Sequence, residues 1–216
     1  MPALAYCITE SEGPLEVPLT GVGGMAVESL EQSGLRCFVS RNPSSDPMLG
    51  PPAREAALAF HRVLQEIFRQ TAIIPFRFPT VLSDEAELTG HLNEHAAKYH
   101  EALGRLRDMV QMEIHLAWEG SQQSAPDKPT GAEYLKARQA EQAGLEKIAG
   151  RFQEAGRSWM HGWRQQVSSH HIRCYALVGR GAVAEFERAL LKVEMPSTIS
   201  ARVSGPWPAT EFVSEE

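Results

Sequence analysis

"VQMEIHLAW", residues 110–118, alternates Met112, Ile114, Leu116 and Trp118 with Gln111, Glu113, His115 and Ala117. A period of two belongs to a β-strand with one face on a core and the other facing outward. The elements that follow can be laid around this strand. "EGSQQSAPDKPTG" (119–131) is polar and broken by prolines and glycines, as a linker is. A long polar helix is expected over 132–157. "IRCYALV" (172–178) reads as a buried strand. "AVAEFERALLKV" (182–193) reads as a helix with Val183, Phe186, Leu190 and Val193 on one face. "TISARVS" (198–204) alternates again, with Ile199, Ala201 and Val203 on one side. If a short strand lies between Trp159 and Val167, the order is βαββαβ, a ferredoxin-like layout.

Upstream, "LAYCIT" (4–9) and "LRCFVS" (35–40) read as strands, with a weaker one near Ala26 to Leu30. Pro51 and Pro52 suit a helix start, and Ala57, Phe60, Val63, Leu64, Ile67 and Phe68 recur at helical spacing through Gln70. "AIIPFRFPTVL" (72–82) is extended and apolar but holds Pro75 and Pro79. That combination fits an edge strand, or one whose ends are irregular. Ser83 is the expected cap of a long helix over 84–107, whose stripe is Leu88, Leu92, His95, Tyr99, Ala102 and Leu106. The fold class is α+β. Residues 1–108 form an N-terminal α+β domain, and 109–216 a C-terminal ferredoxin-like domain with a tail. A second partition also spells βαββαβ: 72–82, 84–107, 110–118, 172–178, 182–193 and 198–204, with the 131–157 helix inserted.

Composition narrows the function classes. The 216-residue chain is 43% hydrophobic and 22% charged, which suits a folded globular protein, and its net charge of −6 argues against nucleic acid as a partner. Cys7, Cys37 and Cys174 form no CxxC pair and read as buried thiols in a reducing cytoplasm. The N-terminus lacks the pattern of a signal peptide. No apolar run reaches the ~20 residues that span a bilayer, so no membrane partner is expected.

Catalytic patterns are sparse. His91, Glu94 and His95 match H-x-x-E-H, in which two histidines one turn apart bind zinc and the glutamate acts as base. In a chain with eight histidines this short pattern reads first as a helix surface, and no third ligand is marked. His170 and His171 are adjacent and would point to opposite faces of a strand. No phosphate-binding loop or nucleophile elbow is present. No cofactor and no catalytic residue are expected.

Four stretches, in order, resemble the GvpL/GvpF family of gas vesicle proteins. "AIIPFRFPTVLSDEAEL" (72–88) is similar to the family's strand-to-helix segment at Pro75, Arg77, Phe78 and Thr80; Pro79 stands where the family usually has glycine. "MEIHLAW" (112–118) resembles the strand after the long helix. "PTGAEYLKARQA" (129–140) matches at Gly131, Glu133, Tyr134, Leu135 and Arg138. "SGPWPATEFV" (204–213) matches at Gly205, Pro206, Trp207, Pro208 and Phe212, with Ala209 and Thr210 replacing proline and tyrosine. The resemblance implies a two-domain α+β protein with a ferredoxin-like C-terminal domain. It implies a non-enzymatic role in the cytoplasm, in assembling gas vesicles, hollow protein shells that give buoyancy. It also implies binding to the hydrophobic shell protein and to other accessory proteins. The expected partner-binding edge is Ile73, Ile74, Pro75, Arg77 and Phe78. The alternatives are a zinc hydrolase built on His91, Glu94 and His95, or a ligand-sensing ferredoxin-like module. For "GPWP" itself, the expectation is that Gly205 and Pro206 end the last strand while Trp207 and Phe212 pin the tail to the body.

Overall fold

The computed structural model describes residues 1–41, 53–119, 131–168 and 170–214. The expected helix start at Pro51 and Pro52 lies outside them, as does the expected linker apart from Glu119 and Gly131. The chain folds as two units, one of Met1–Asp108 with Phe212–Glu216 and a second of Met109–Glu211. The end of the tail, expected with the C-terminal domain, groups with the first unit. Phe212 is buried there, and its carbonyl accepts a 2.7 Å hydrogen bond from Arg105.

The first unit contains β1 (Ala3–Glu10), β2 (Glu28–Gln32), β3 (Leu35–Arg41), α1 (Ala53–Phe68), β4 (Ile74–Leu82) and α2 (Glu85–Leu106). Its strands form an antiparallel sheet in the order β2-β3-β1-β4. Strands β2 and β3 are joined by Ser33-Gly34, both at positive φ, the backbone that a tight two-residue hairpin needs. The central strand β1 is apolar at almost every position and buried from Ala3 to Thr9. A continuous run of this kind requires cover on both faces. Ala3 and Ala5 join the core under α2, with Leu88, Leu92, Ala102 and Leu103. The neighbouring Tyr6 turns the other way and stacks on Phe60 of α1, ring centroids 5.1 Å apart. Its hydroxyl accepts from the Val22 amide at 3.0 Å and lies 2.9 Å from Ser40 Oγ. The register slips between Ala5 and Cys7 against both neighbouring strands, which returns Ile8 to the α2 side.

At the head of α2 the cap is Asp84 rather than the expected Ser83. The Asp84 carboxylate accepts from the Glu87 amide at 2.9 Å, and Glu87 accepts in turn from the Ser83 amide and hydroxyl at 2.7 and 2.6 Å. This is a reciprocal capping arrangement, and those bonds hold the Glu87 carboxyl below its ordinary pKa.

The second unit contains β5 (Met109–Trp118), α3 (Gly131–Gly156), β6 (Met160–Val167), β7 (His171–Gly179), α4 (Val183–Leu190) and β8 (Ile199–Trp207). Its antiparallel sheet runs β6-β7-β5-β8, the order of a ferredoxin-like βαββαβ fold. The hidden strand is β6. The second partition fails because β4 lies in the other sheet. Helix α4 is shorter than its apolar spacing suggests and is preceded by a 3-10 turn at Arg180–Ala182. On β5, Val110, Met112, Ile114 and Leu116 are buried. So are Leu145, Ile148, Ala149 and Phe152 of α3, and Phe186 and Leu190 of α4. Both helices pack on this side of the sheet.

The expected stop at Gly205 is a bulge. Ser204 pairs with Glu113 and Trp207 with Gln111, so Gly205 and Pro206 together face Met112 alone. Gly205 has φ +133, and a Cβ there would lie 2.8 Å from Met112 Sδ and 3.0 Å from the Gln111 carbonyl. Only glycine fits. Pro206 falls in the bulge, where no ladder donor is required, and the strand resumes at Trp207. Gly205→Ala is expected to destabilise the protein by about 1–3 kcal/mol in denaturant unfolding. Gly150→Ala, on an open face of α3, should instead stabilise by roughly 0.5–1 kcal/mol. Equal effects at the two sites would contradict this account of the bulge.

Candidate functional site

Strand β4 pairs with β1 and forms one edge of the first sheet. It does not run straight along that edge. Pro75 pairs with Cys7 and Thr80 with Ala5, so Phe76, Arg77, Phe78 and Pro79 stand against Tyr6 alone. The chain leaves the ladder and returns, and the Thr80 hydroxyl closes the excursion on the Arg77 carbonyl at 2.6 Å. Pro79 falls inside the unpaired segment and Pro75 at the last ladder pair before it, positions an edge strand tolerates. The excursion carries two rings. Phe78 lies 5.1 Å from Phe60 of α1, and Phe76 lies 5.9 Å from His91 of α2.

The expected partner-binding residues therefore separate. Ile73 and Ile74 are buried in the core and unavailable to a partner. Pro75 and Phe78 are half-buried, and Arg77 is exposed at the tip. Phe76, which no sequence pattern marks, is half-buried too, on the α2 side of the same excursion. Its position follows only from the excursion, because a regular strand would fix its side by parity alone.

Beside Phe76, the residues of the H-x-x-E-H pattern form part of an aromatic ladder. The His91 and His95 rings are 4.6 Å apart, and those of His95 and Tyr99 are 5.9 Å apart. His91 Nε2 is 2.7 Å from the Tyr99 hydroxyl, and His95 Nδ1 is 3.0 Å from the His91 carbonyl. Glu94 points outward and is exposed. Among the described residues no group of three His, Cys, Asp or Glu side chains is placed to hold a metal ion. The spacing that suggests zinc thus builds a half-buried ring stack along α2.

The family-motif residues of the second unit also divide. Gly131 opens α3, and the Glu133 side chain lies outside the described residues. Tyr134 and Leu135 are exposed, and the Arg138 guanidinium sits 6.0 Å from the Tyr134 ring centroid, beside Glu141 and His170. Gly205 and Pro206 form the bulge. Trp207 donates to Ser204 Oγ at 3.4 Å, and Pro208 leads to a 3-10 turn at Thr210–Phe212. That turn is tied down at Glu211. Its amide donates to Gln111 Oε1 at 3.1 Å, its carbonyl accepts from Arg164, and its carboxylate accepts from Gln166 at 3.0 Å. On the helix side, a groove of about 340 Å³ opens between Phe152, Leu190, Leu191, Met195 and Val203, with Leu191 largely exposed.

Residues 3–214 match the family model for gas vesicle synthesis protein GvpL/GvpF. The chain belongs to the GvpL/GvpF family. Among solved structures it is similar to gas vesicle protein GvpF from Anabaena sp. PCC7120, with a TM-score of 0.82 and 14% identity over 100% of this chain and 97% of that one. GvpF from Microcystis aeruginosa matches with a TM-score of 0.79 and 14% identity over 99% of both chains. These likenesses support the fold. No curated protein matches the chain. GvpL/GvpF is a gas vesicle synthesis family, not a known enzyme family. No helix among the described residues is long and apolar enough to cross a membrane.

The His91–His95 stack has a consequence for stability. Burial, then the nearby His95, hold the His91 pKa below the ordinary 6.5, while Glu94 and Glu87 oppose the shift. The fold favours the neutral ring. Its contribution is therefore complete above about pH 6.5 and is lost as pH falls through the lowered value. The melting temperature should drop on acidification below about pH 6.5, and His91→Gln should flatten that drop. An identical pH profile in the variant would show that the ring stack does not titrate with unfolding.

Proposed function

We propose that this protein is a non-catalytic component of gas vesicle assembly in the cytoplasm, binding the hydrophobic shell protein and other gas vesicle accessory proteins. The observation that carries this reading is the match of residues 3–214 to the gas vesicle synthesis family. The surface that supports it best is the β4 excursion. Simple strand addition is not favoured there, because residues 76–79 leave the ladder and present no regular row of backbone groups. The irregular edge also resists pairing with another copy. What remains is an exposed cation at the tip of the edge, with Phe78 on the α1 side of the sheet and Phe76, next to the His91–Tyr99 ladder, on the α2 side. Aromatic side chains and arginine are the groups most enriched where proteins bind proteins.

Co-purification of the full chain with the shell protein tests this. Arg77 is exposed, so Arg77→Glu should leave the melting temperature within about a degree while weakening capture at least about tenfold. Undiminished capture by a folded Arg77→Glu variant would remove the excursion from the binding surface. Failure of the parent chain to capture the shell protein would overturn the reading itself.

A further inference from the structure

The sheet of the second unit carries α3 and α4 on one side. The register places the side chains of the other side in rows. One row crosses every strand: Gln166 of β6 opposite Arg173 of β7, Arg173 opposite His115 of β5, and His115 opposite Arg202 of β8. His171 adjoins the row, its ring centroid 5.2 Å from that of His115. Gln166, Arg173 and Arg202 are exposed, and the two imidazoles are half-exposed. We propose that this row is a docking surface for an acidic segment of a partner protein.

Charge carries the argument. In a chain of net charge −6, this face gathers two guanidiniums and two imidazoles. The carboxylate nearest Arg173 is Glu113, 3.8 Å away, and Arg202 has no ion pair among the described residues. The face already takes one carboxylate from its own chain, since Glu211 accepts from Gln166 at the end of the row. Arg202 lies beyond that contact and is open to another acid, and Arg173, already 3.8 Å from Glu113, is exposed beside it. Nucleic acid is the less favoured occupant, because Tyr175 in the adjoining row is buried and offers no face for a base to stack on.

The surface should respond to pH. The groups that face His115 are Glu113 on its own strand, His171 and Arg173 on β7, and Arg202 on β8. Burial lowers its pKa, followed by His171, Arg173 and Arg202, with Glu113 opposing. An acidic segment would offset those cations and favour the protonated ring, so binding takes up protons and tightens as pH falls.

The test is fluorescence anisotropy of the full chain with a labelled oligoglutamate peptide at low ionic strength. Saturable binding is expected, weakened about tenfold by Arg173→Ser with Arg202→Ser and little changed by the charge-matched pair Lys147→Ser with Lys192→Ser. Affinity should rise from about pH 7.5 to about pH 5.5, and this rise should shrink in His115→Gln. Melting curves establish that each variant is folded. Absence of saturable binding, or equal weakening by both double variants, would overturn the proposal. Tighter binding of a single-stranded oligonucleotide of equal charge would overturn the choice of a protein partner. None of these outcomes depends on the shell-protein reading.

Discussion

The arrangement depends on how many faces of each central strand must leave water. Both sheets place the first strand of their unit third in the order, between two antiparallel neighbours. In β1, "ALAYCIT" is apolar on both sides, so the first sheet is enclosed by α1 on one face and α2 on the other. In β5, Gln111, Glu113, His115 and Ala117 interrupt the apolar set, so α3 and α4 cover only one side. A buried apolar side chain stabilises by about 1.5–3 kcal/mol, whereas a charge left unpaired in the interior costs more. The difference between the two strands is therefore enough to decide where helices are placed. It also decides which sheet face is left to carry polar groups.

The second constraint is where the ladders break. Two of the stretches that carry the family resemblance coincide with register shifts. "PFRFPT" spans the excursion of β4, and "SGPW" spans the bulge of β8. Prolines and glycine in these motifs are explained by backbone geometry rather than by chemistry at a reacting centre. Irregular edges have a double effect. They discourage uncontrolled pairing between copies, and they turn side chains outward that a regular strand would bury or hide. Phe76, Arg77 and Phe78 owe their placement to the first of these breaks. Gly205 lets β8 pass Met112 and return to Gln111, from which the tail reaches the turn at Glu211.

Much of this is legible in the sequence, and the reasons differ by element. Strand β5 and helix α2 announce themselves because one periodicity holds over their length. Strand β6 follows only from the need for a fourth strand; "MHGWRQQV" at a sheet edge has no fully buried residue and little alternation. The prolines of β4 point to an edge position, but not to the loss of four residues from the ladder. That depends on which residues of β1 are opposite, which no local pattern encodes. For the same reason Ile73 and Ile74 look available to a partner and are core. The basic row is hidden because its members come from strands far apart in sequence. His115 can be assigned to the polar face of β5, but its neighbours Arg173 and Arg202 follow only from register. The zinc-like spacing fails in the opposite way. Its local geometry is right, and a tyrosine and a backbone carbonyl supply the partners of the imidazoles.

The central claim is that the irregular β4 edge meets a partner while the strand it flanks serves only as support. Hydrogen–deuterium exchange on the full chain, with and without the shell protein, tests this most directly. The account predicts slowed exchange in peptides covering residues 74–82 and no change in the already protected β1. Unchanged exchange across 74–82 in a demonstrated complex would contradict it.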